Sequence, residues 1–371
     1  MRYSFFFSLF VCTVLLSSWG CDKKDKDGTE TPPDGDWPSD SIRIVKSNLN
    51  FPWDILWGKD DHIWMTERNG KISKIEPKTG NTVFEFQISD VEAQGEGGLL
   101  GMAHHPDFLN NGFIYVVYNY NRSGVYTEKV VRFTFANNTL SNPTTLLDLI
   151  PASSIHNGSR LFVTSDNKLL ITTGDAANSS MAQNTDSKSG KVLRINLDGS
   201  IPTDNPIANN PIWTIGHRNL QGLVIANNII YTSEHGASIE DEVNIIEKNR
   251  NYGWPDVEGP CTVGEVDFCN SHNIKEPIWS SGSSTVATSG MDYYNNDLIP
   301  EWKNSLLVTT LKDATLFQLK LSANGLSVAS VTEFFDGDWG RLRDVCVSPS
   351  GRVYLCTSNG GNNDKLIEIS K

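Results

Sequence analysis

Apolar residues in this chain fall in short alternating or β-branched runs, and the three-and-four spacing of an amphipathic helix is almost absent. The runs are broken by Asn, Gly, Asp and Pro, the residues of tight turns. This pattern predicts strands joined by turns. One unit recurs. Residues 54–76 read DILWGKDDHIWMTERNGKISKIE, and residues 160–196, 219–247 and 341–369 follow the same plan. Each has an apolar strand, a polar turn, a second strand, a loop and a third apolar strand. Looser copies occupy 99–135 and 287–321.

A repeated three-to-four-stranded unit of this length predicts propeller blades. Six copies predict an all-β, six-bladed β-propeller over residues 41–371, in preference to a β-sandwich or a seven-bladed ring. One blade cannot bury both of its faces, so the ring is the cooperative unit. The segment Ile42–Lys46 is expected to complete a blade with strands from the other end of the chain. Such closure hides a strand edge.

The first forty residues follow a different pattern. Arg2 precedes the apolar run Phe5 to Leu16, and Ser17-Ser18-Trp19-Gly20-Cys21 follows. A basic start, a short apolar stretch and small residues predict a secretory signal over residues 1–20. Cys21 after Gly20 resembles a bacterial lipobox. Residues 22–40 are charged, Pro- and Gly-rich and without aliphatic side chains before the domain, so they predict a disordered tether. Together these features predict an exported bacterial lipoprotein, periplasmic or associated with the outer membrane, that touches membrane only through its anchor.

Export changes the reading of the cysteines. Cys261, Cys269, Cys346 and Cys356 form an even set, which predicts disulfides in an oxidising compartment. Cys261–Cys269 would close a short loop, and Cys346–Cys356 would cross a hairpin.

The net charge of -13 argues against a nucleic-acid surface. It also makes clustered cations informative. Arg218, Lys312, Arg341 and Arg343 begin or end strands at matched repeat positions, where propeller loops gather at one mouth. Each has a bland reading, such as Asp313 beside Lys312 or Asp344 after Arg343. Four at equivalent positions point to an anionic ligand instead. His156 and Asp175 occupy loops of one blade copy. His104, His105, His217 and His235 sit in the repeat framework and read as structural. Asp241 and Glu242 lack the spacing of a calcium loop.

The segments FPWDILW, GEGGLLGMAHHPDF, GKVLRINLDGSIPTDNP, IGHRNLQGL, NYGWP, LLVTTLK and RLRDV, in this order, resemble the soluble PQQ-dependent glucose/aldose sugar dehydrogenases. The resemblance runs from about Phe51 onward and implies the same six-bladed fold. It also implies pyrroloquinoline quinone (PQQ), a planar tricarboxylate quinone, as the anion. It implies PQQ contacts at Arg218, Asn219, Lys312, Arg341 and Arg343. His156 becomes the catalytic base and Asp175 its acidic partner, with Arg218 stabilising charge on the quinone oxygen. Calcium is implied at the backbone carbonyls of Gly236 and Ala237.

The chain departs from the glucose-oxidising members at Ala237, Ile155 and Glu96, where they carry Pro, a polar residue and Gln. The implied activity is oxidation of an aldose to a lactone, with electrons passed to an acceptor that the sequence does not identify. Two other functions remain open. One is a non-catalytic binding module of the hedgehog-interacting type. The other is a lactonase-like hydrolase, which would need Asp, Glu and Asn at the channel mouth in place of Arg and Lys.

Overall fold

In the computed structural model, which describes residues 37–371, every strand falls into one of six four-stranded antiparallel sheets. The segment predicted to be a signal, Cys21 and most of the predicted tether lie outside the described residues. Blades I to V are continuous in sequence, at 52–87, 99–151, 158–215, 220–280 and 288–334. Blade VI takes three strands from 342–369 and its outer strand from Ile42–Leu49. Ile42 lies opposite Ile369 and Leu49 opposite Asp364. The ring therefore closes by pairing the two ends of the domain, as the sequence predicts.

The first strand of each blade packs against the first strand of the next, all the way round to blade I. Between the blades lie the hydrophobic clusters. Trp64 of blade I is fully buried and meets Phe108 and Phe135 of blade II with ring centroids 5.8 and 5.0 Å apart. Each cluster is completed only by a neighbouring blade, so burial stabilises the ring rather than the single sheet. His104 stacks on Phe108 at 4.0 Å and is buried there, as its packing role requires. Burial pushes its pKa down to about 3.

The first strands surround a channel that is plugged at mid-height. Arg160 of blade III donates to Asp344 of blade VI at 2.7 Å and pairs with Asp54 of blade I at 3.1 Å. It also donates to the carbonyls of Gln221 and Trp53. Asp344 is thereby spent on Arg160, not on its sequence neighbour Arg343. Successive side chains of a strand point to opposite faces, which separates the two.

Among the described residues one disulfide forms, Cys261–Cys269. Cys346 and Cys356 are buried free thiols, contrary to expectation. Register is the reason: Cys346 faces Tyr354 and Cys356 faces Asp344. The two thiols are diagonal neighbours, and that separation exceeds what a disulfide spans.

Several buried acids give the fold a pH dependence. Burial raises Asp292 to about 7 and Glu128 to about 8, and raises Asp54 and Glu242 as well. A carboxyl raised on folding contributes stability at low pH and loses it as pH climbs towards the folded value. His104 and His105, both lowered by burial, act in the opposite sense below their ordinary range, two groups against these four. We expect apoprotein stability to fall by on the order of a kcal/mol or more between pH 5 and pH 7. Urea unfolding at the two pH values checks this, and a flat or rising trend contradicts it.

Candidate active site

His156 precedes the first strand of blade III and adopts a left-handed backbone with φ 59°. Three contacts hold it there. Its N–H donates to Glu96 Oε2 at 3.1 Å, and its carbonyl accepts the Ala176 N–H at 3.0 Å. Its Nδ1 lies 2.9 Å from Asp175 Oδ1. Gly174 makes this approach possible, because a Cβ there would lie 2.0 Å from the His156 carbonyl oxygen.

Asp175 is 2% exposed and fully engaged. Oδ1 also accepts the Ala177 N–H at 2.9 Å, and Oδ2 accepts the Trp254 indole N–H at 2.9 Å. An acceptor so placed requires the proton of His156 to sit on Nδ1. The lone pair of the neutral ring is then on Nε2, which makes no hydrogen bond to the described residues.

Beside this pair, at the mouth where the first strands begin, lies a cavity of about 100 Å³. Arg68, Glu96, Asn219, Gln221, Arg341 and Arg343 line it, over a floor of Phe51, Trp53 and Leu100. A larger cavity, about 660 Å³, opens at the opposite end of the channel and contains none of the sequence-predicted site residues. Chemistry, not size, selects the smaller one.

Arg343 is 6% exposed and donates to Gln221 Oε1 at 2.8 Å and Ser289 Oγ at 3.2 Å, both neutral. Burial and the neighbouring Arg160 push its pKa down to about 10. The Nε atoms of Arg68, Arg218 and Arg343 are buried without partners among the described residues. Asn219 accepts from the Gly158 N–H at 3.2 Å and from Gln221 Nε2 at 3.0 Å. No carboxylate of the described residues forms an ion pair with Arg218, Lys312, Arg341 or Arg343. Cations so exempted from pairing define a mouth for an anion.

The predicted cations are not all in one cavity. Arg341 and Arg343 line the mouth with Asn219. Arg218 lines an adjoining pocket with His235, Gly236 and Trp254, and donates to the His235 carbonyl at 2.9 Å. Its guanidinium lies 5.3 Å from the Trp254 ring. Lys312 is exposed and donates to the Thr285 carbonyl at 2.8 Å, while its neighbour Leu311 lines the mouth. The four-carbon stem of a lysine lets it swing from there.

Gly236 and Ala237 follow the second strand of blade IV. Asp241 accepts the Gly236 N–H at 2.7 Å and the Val286 and Ala287 N–H groups at 2.6 Å each, so it ties this loop to blade V. Asp241 is spent on loop structure, and Glu242 accepts from Asn244 Nδ2 and the Gly259 N–H. Among the described residues, no group of three or more His, Cys, Asp or Glu side chains could hold a metal.

Two residues escaped the sequence reading. Arg68 directly follows the second strand of blade I, as His235 does in blade IV, one residue before the place that Asp175 and Lys312 take in blades III and V, and the repeat alignment would have found it. Trp254 comes from a long insertion in blade IV and has no repeat signal.

The fold is a six-bladed propeller whose mouth sets guanidinium groups without carboxylate partners beside a His–Asp pair. The family model described as glucose/sorbosone dehydrogenase matches residues 49–368. The chain is 32% identical to quinoprotein glucose dehydrogenase B of Acinetobacter calcoaceticus, over 87% of this chain and 86% of that protein. It is 29% identical to aldose sugar dehydrogenase YliI of Escherichia coli, over 89% of this chain and 92% of that one. The solved PQQ-bound aldose sugar dehydrogenase from Streptomyces coelicolor superimposes with TM-score 0.76 and 28% identity, covering 90% of this chain and 99% of that one. The chain belongs to the glucose/sorbosone dehydrogenase family.

Proposed function

We propose that the protein is a PQQ- and calcium-dependent dehydrogenase that oxidises aldoses to lactones. The observation that carries this reading is the set of guanidinium groups without carboxylate partners, placed beside the His156–Asp175 pair. Relatives named as quinoprotein and PQQ-bound sugar dehydrogenases support it. A lactonase reading is disfavoured, because Glu96 is the only carboxylate in the lining of the mouth.

The residues fit a planar tricarboxylate. Arg68 and Arg343 each supply a buried Nε–H without a partner among the described residues. Arg341 supplies an exposed guanidinium at the rim, Lys312 lies within a side-chain swing, and Phe51 and Trp53 supply flat apolar surface. Carbonyl oxygens suit calcium. The Gly236 carbonyl accepts from His235 Nδ1 at 2.6 Å and keeps a second lone pair for a metal. Two protein carbonyls, Gly236 and Ala237, leave the remaining ligand positions to external oxygens.

When bound, the quinone supplies a two-electron acceptor for the hydride leaving the sugar, and calcium supplies Lewis-acid polarisation. The chain does the rest. His156 Nε2 accepts the proton of the anomeric hydroxyl as the hydride departs from the same carbon, which leaves the lactone carbonyl. Asp175 fixes the imidazole and balances the imidazolium charge. Trp254 and the Ala177 N–H hold Asp175 in place. Arg218 lies next to the Gly236 loop, where its guanidinium would offset negative charge on the quinone oxygen of a bound cofactor.

The test is an aldose panel. Apoprotein reconstituted with PQQ and calcium should reduce an artificial dye with at least one aldose, and should lose activity when either component is omitted. A reconstituted protein that is inert towards every aldose, or equally active without PQQ, contradicts the proposal.

A further inference from the structure

We infer that Glu128 is a positioning residue that works as a neutral carboxylic acid, locking the loop that carries His156 through a relay to Ser159 and Asn157. The inference rests on the proposed function for its catalytic consequence and on hydrogen-bond geometry for its substance.

Glu128 lies in the third strand of blade II and is 1% exposed. Its Oε2 is 2.6 Å from Ser159 Oγ, and the same Oγ is 2.9 Å from the Asn157 carbonyl oxygen. A serine hydroxyl has one proton. Were Glu128 ionised, both neighbours of that hydroxyl would be acceptors, and one of two close oxygen pairs would lack a proton. With the proton on Oε2 the chain closes: Glu128 donates to Ser159, and Ser159 donates to the Asn157 carbonyl.

The rest of the environment agrees. Oε1 is buried, and no donor of the described residues reaches it. A neutral carbonyl oxygen bears this far better than half of a carboxylate does. Burial raises the group to about 8, against weak support from Ser159 and Asn119. The side chains facing it from the adjacent strand and from blade III are Asn119 and Ser159, both uncharged. On its own strand, Tyr126 two residues away shares its face and is raised to about 12 mainly by burial, neutral below that, while Lys129 projects from the opposite face and pairs with Asp90 at 2.6 Å.

What the relay holds is the catalytic loop. Asn157 closes residues 153–157 into a ring: its Nδ2 donates to the Ser153 carbonyl at 2.8 Å, and its Oδ1 accepts the Ser153 N–H at 3.1 Å. His156 sits inside that ring in its left-handed conformation. Asn119, which donates to Glu128 Oε2 at 3.3 Å, accepts the Gly98 N–H at 2.9 Å. That second arm steadies the segment bearing Glu96, whose carboxylate accepts the His156 N–H. Glu128 thus stands at the junction of both loops that orient the base and touches no reactant itself.

The sign of the pH effect follows. As pH rises through about 8, Glu128 ionises, the relay loses its proton and the loop loosens. Two measurements test this on wild type, Glu128→Gln, Glu128→Ala and Ser159→Ala. The first is amide hydrogen exchange of residues 153–158 in apoprotein across pH, corrected for intrinsic rates. Protection should collapse above about pH 8 in wild type and persist in Glu128→Gln, whose amide still donates.

The second is the pH profile of kcat. Glu128→Gln should keep near-parental kcat at neutral pH and lose the alkaline fall. Ser159→Ala, which removes only a hydroxyl, should lower kcat by roughly tenfold or more with little change in PQQ affinity. Loop protection with the same pH dependence in wild type and Glu128→Gln overturns the inference. So does a Glu128→Gln protein as impaired as Glu128→Ala. Failure of the dehydrogenase reading looks different: no protein turns over, while the exchange data still report the relay.

Discussion

His156→Ala is expected to fold, to bind PQQ with the parental affinity and to lose about 10²–10⁴ in turnover. Hydride departure from an anomeric carbon leaves a carbonyl only if the hydroxyl proton goes elsewhere, so a base must lie within hydrogen-bond reach. The ring of His156 is committed on one side only. Asp175 accepts from Nδ1 at 2.9 Å, and Asp175 is itself held by Trp254 and the Ala177 N–H. The tautomer is thereby set, and Nε2 is the free lone pair. His156 holds no partner in the core, so alanine costs the fold little beyond its contact to Asp175. Stopped-flow reduction of bound PQQ by an aldose checks the expectation. Equal rates in mutant and parent would assign the proton to another residue.

The second large effect is on cofactor affinity. Arg343→Ala is expected to weaken PQQ binding by roughly tenfold or more, the equivalent of one charge-assisted hydrogen bond. Arg343 is buried among neutral partners, its Nε has none, and burial together with Arg160 already depresses its pKa. A guanidinium in that condition gains more from an anion than a solvated one does. The nearby Asp344 cannot substitute as its counter-ion, because Arg160 holds it at 2.7 Å. Fluorescence or absorbance titration of both apoproteins with PQQ in the presence of calcium measures the loss. Superimposable curves would remove Arg343 from the cofactor site.

Six blades were legible because blade identity is local. A strand announces itself by alternation, and a turn by Asn, Gly and Asp, within one repeat. Outer strands were less so: Val328–Phe334 is largely exposed, and with no buried face it carries no alternation to read. Closure through Ile42–Leu49 was visible because a lone strand at one terminus needs a partner.

Cross-strand register was not visible. Cys346 and Cys356 read as a hairpin pair, and a two-residue offset left both as thiols. The matched loop positions brought Asn219, Arg341 and Arg343 to one mouth, and the adjacent loops His156 to Asp175. Residues that reach the site from outside the repeat, such as Trp254, left no periodic trace. Glu128 was equally silent: a strand pattern shows that a side chain faces inward, but not what stands opposite it.

If this mouth holds a quinone that an aldose reduces, bound PQQ must change its spectrum on mixing with the sugar alone. The most direct measurement is anaerobic: apoprotein loaded with calcium and one equivalent of PQQ is mixed with excess aldose while the quinone spectrum is recorded. The bound quinone should convert to its reduced form in a single turnover, with one quinone per chain, and that conversion should be nearly lost in His156→Ala. A protein that binds no PQQ, or binds it and leaves it oxidised with every aldose, is not a PQQ-dependent aldose dehydrogenase.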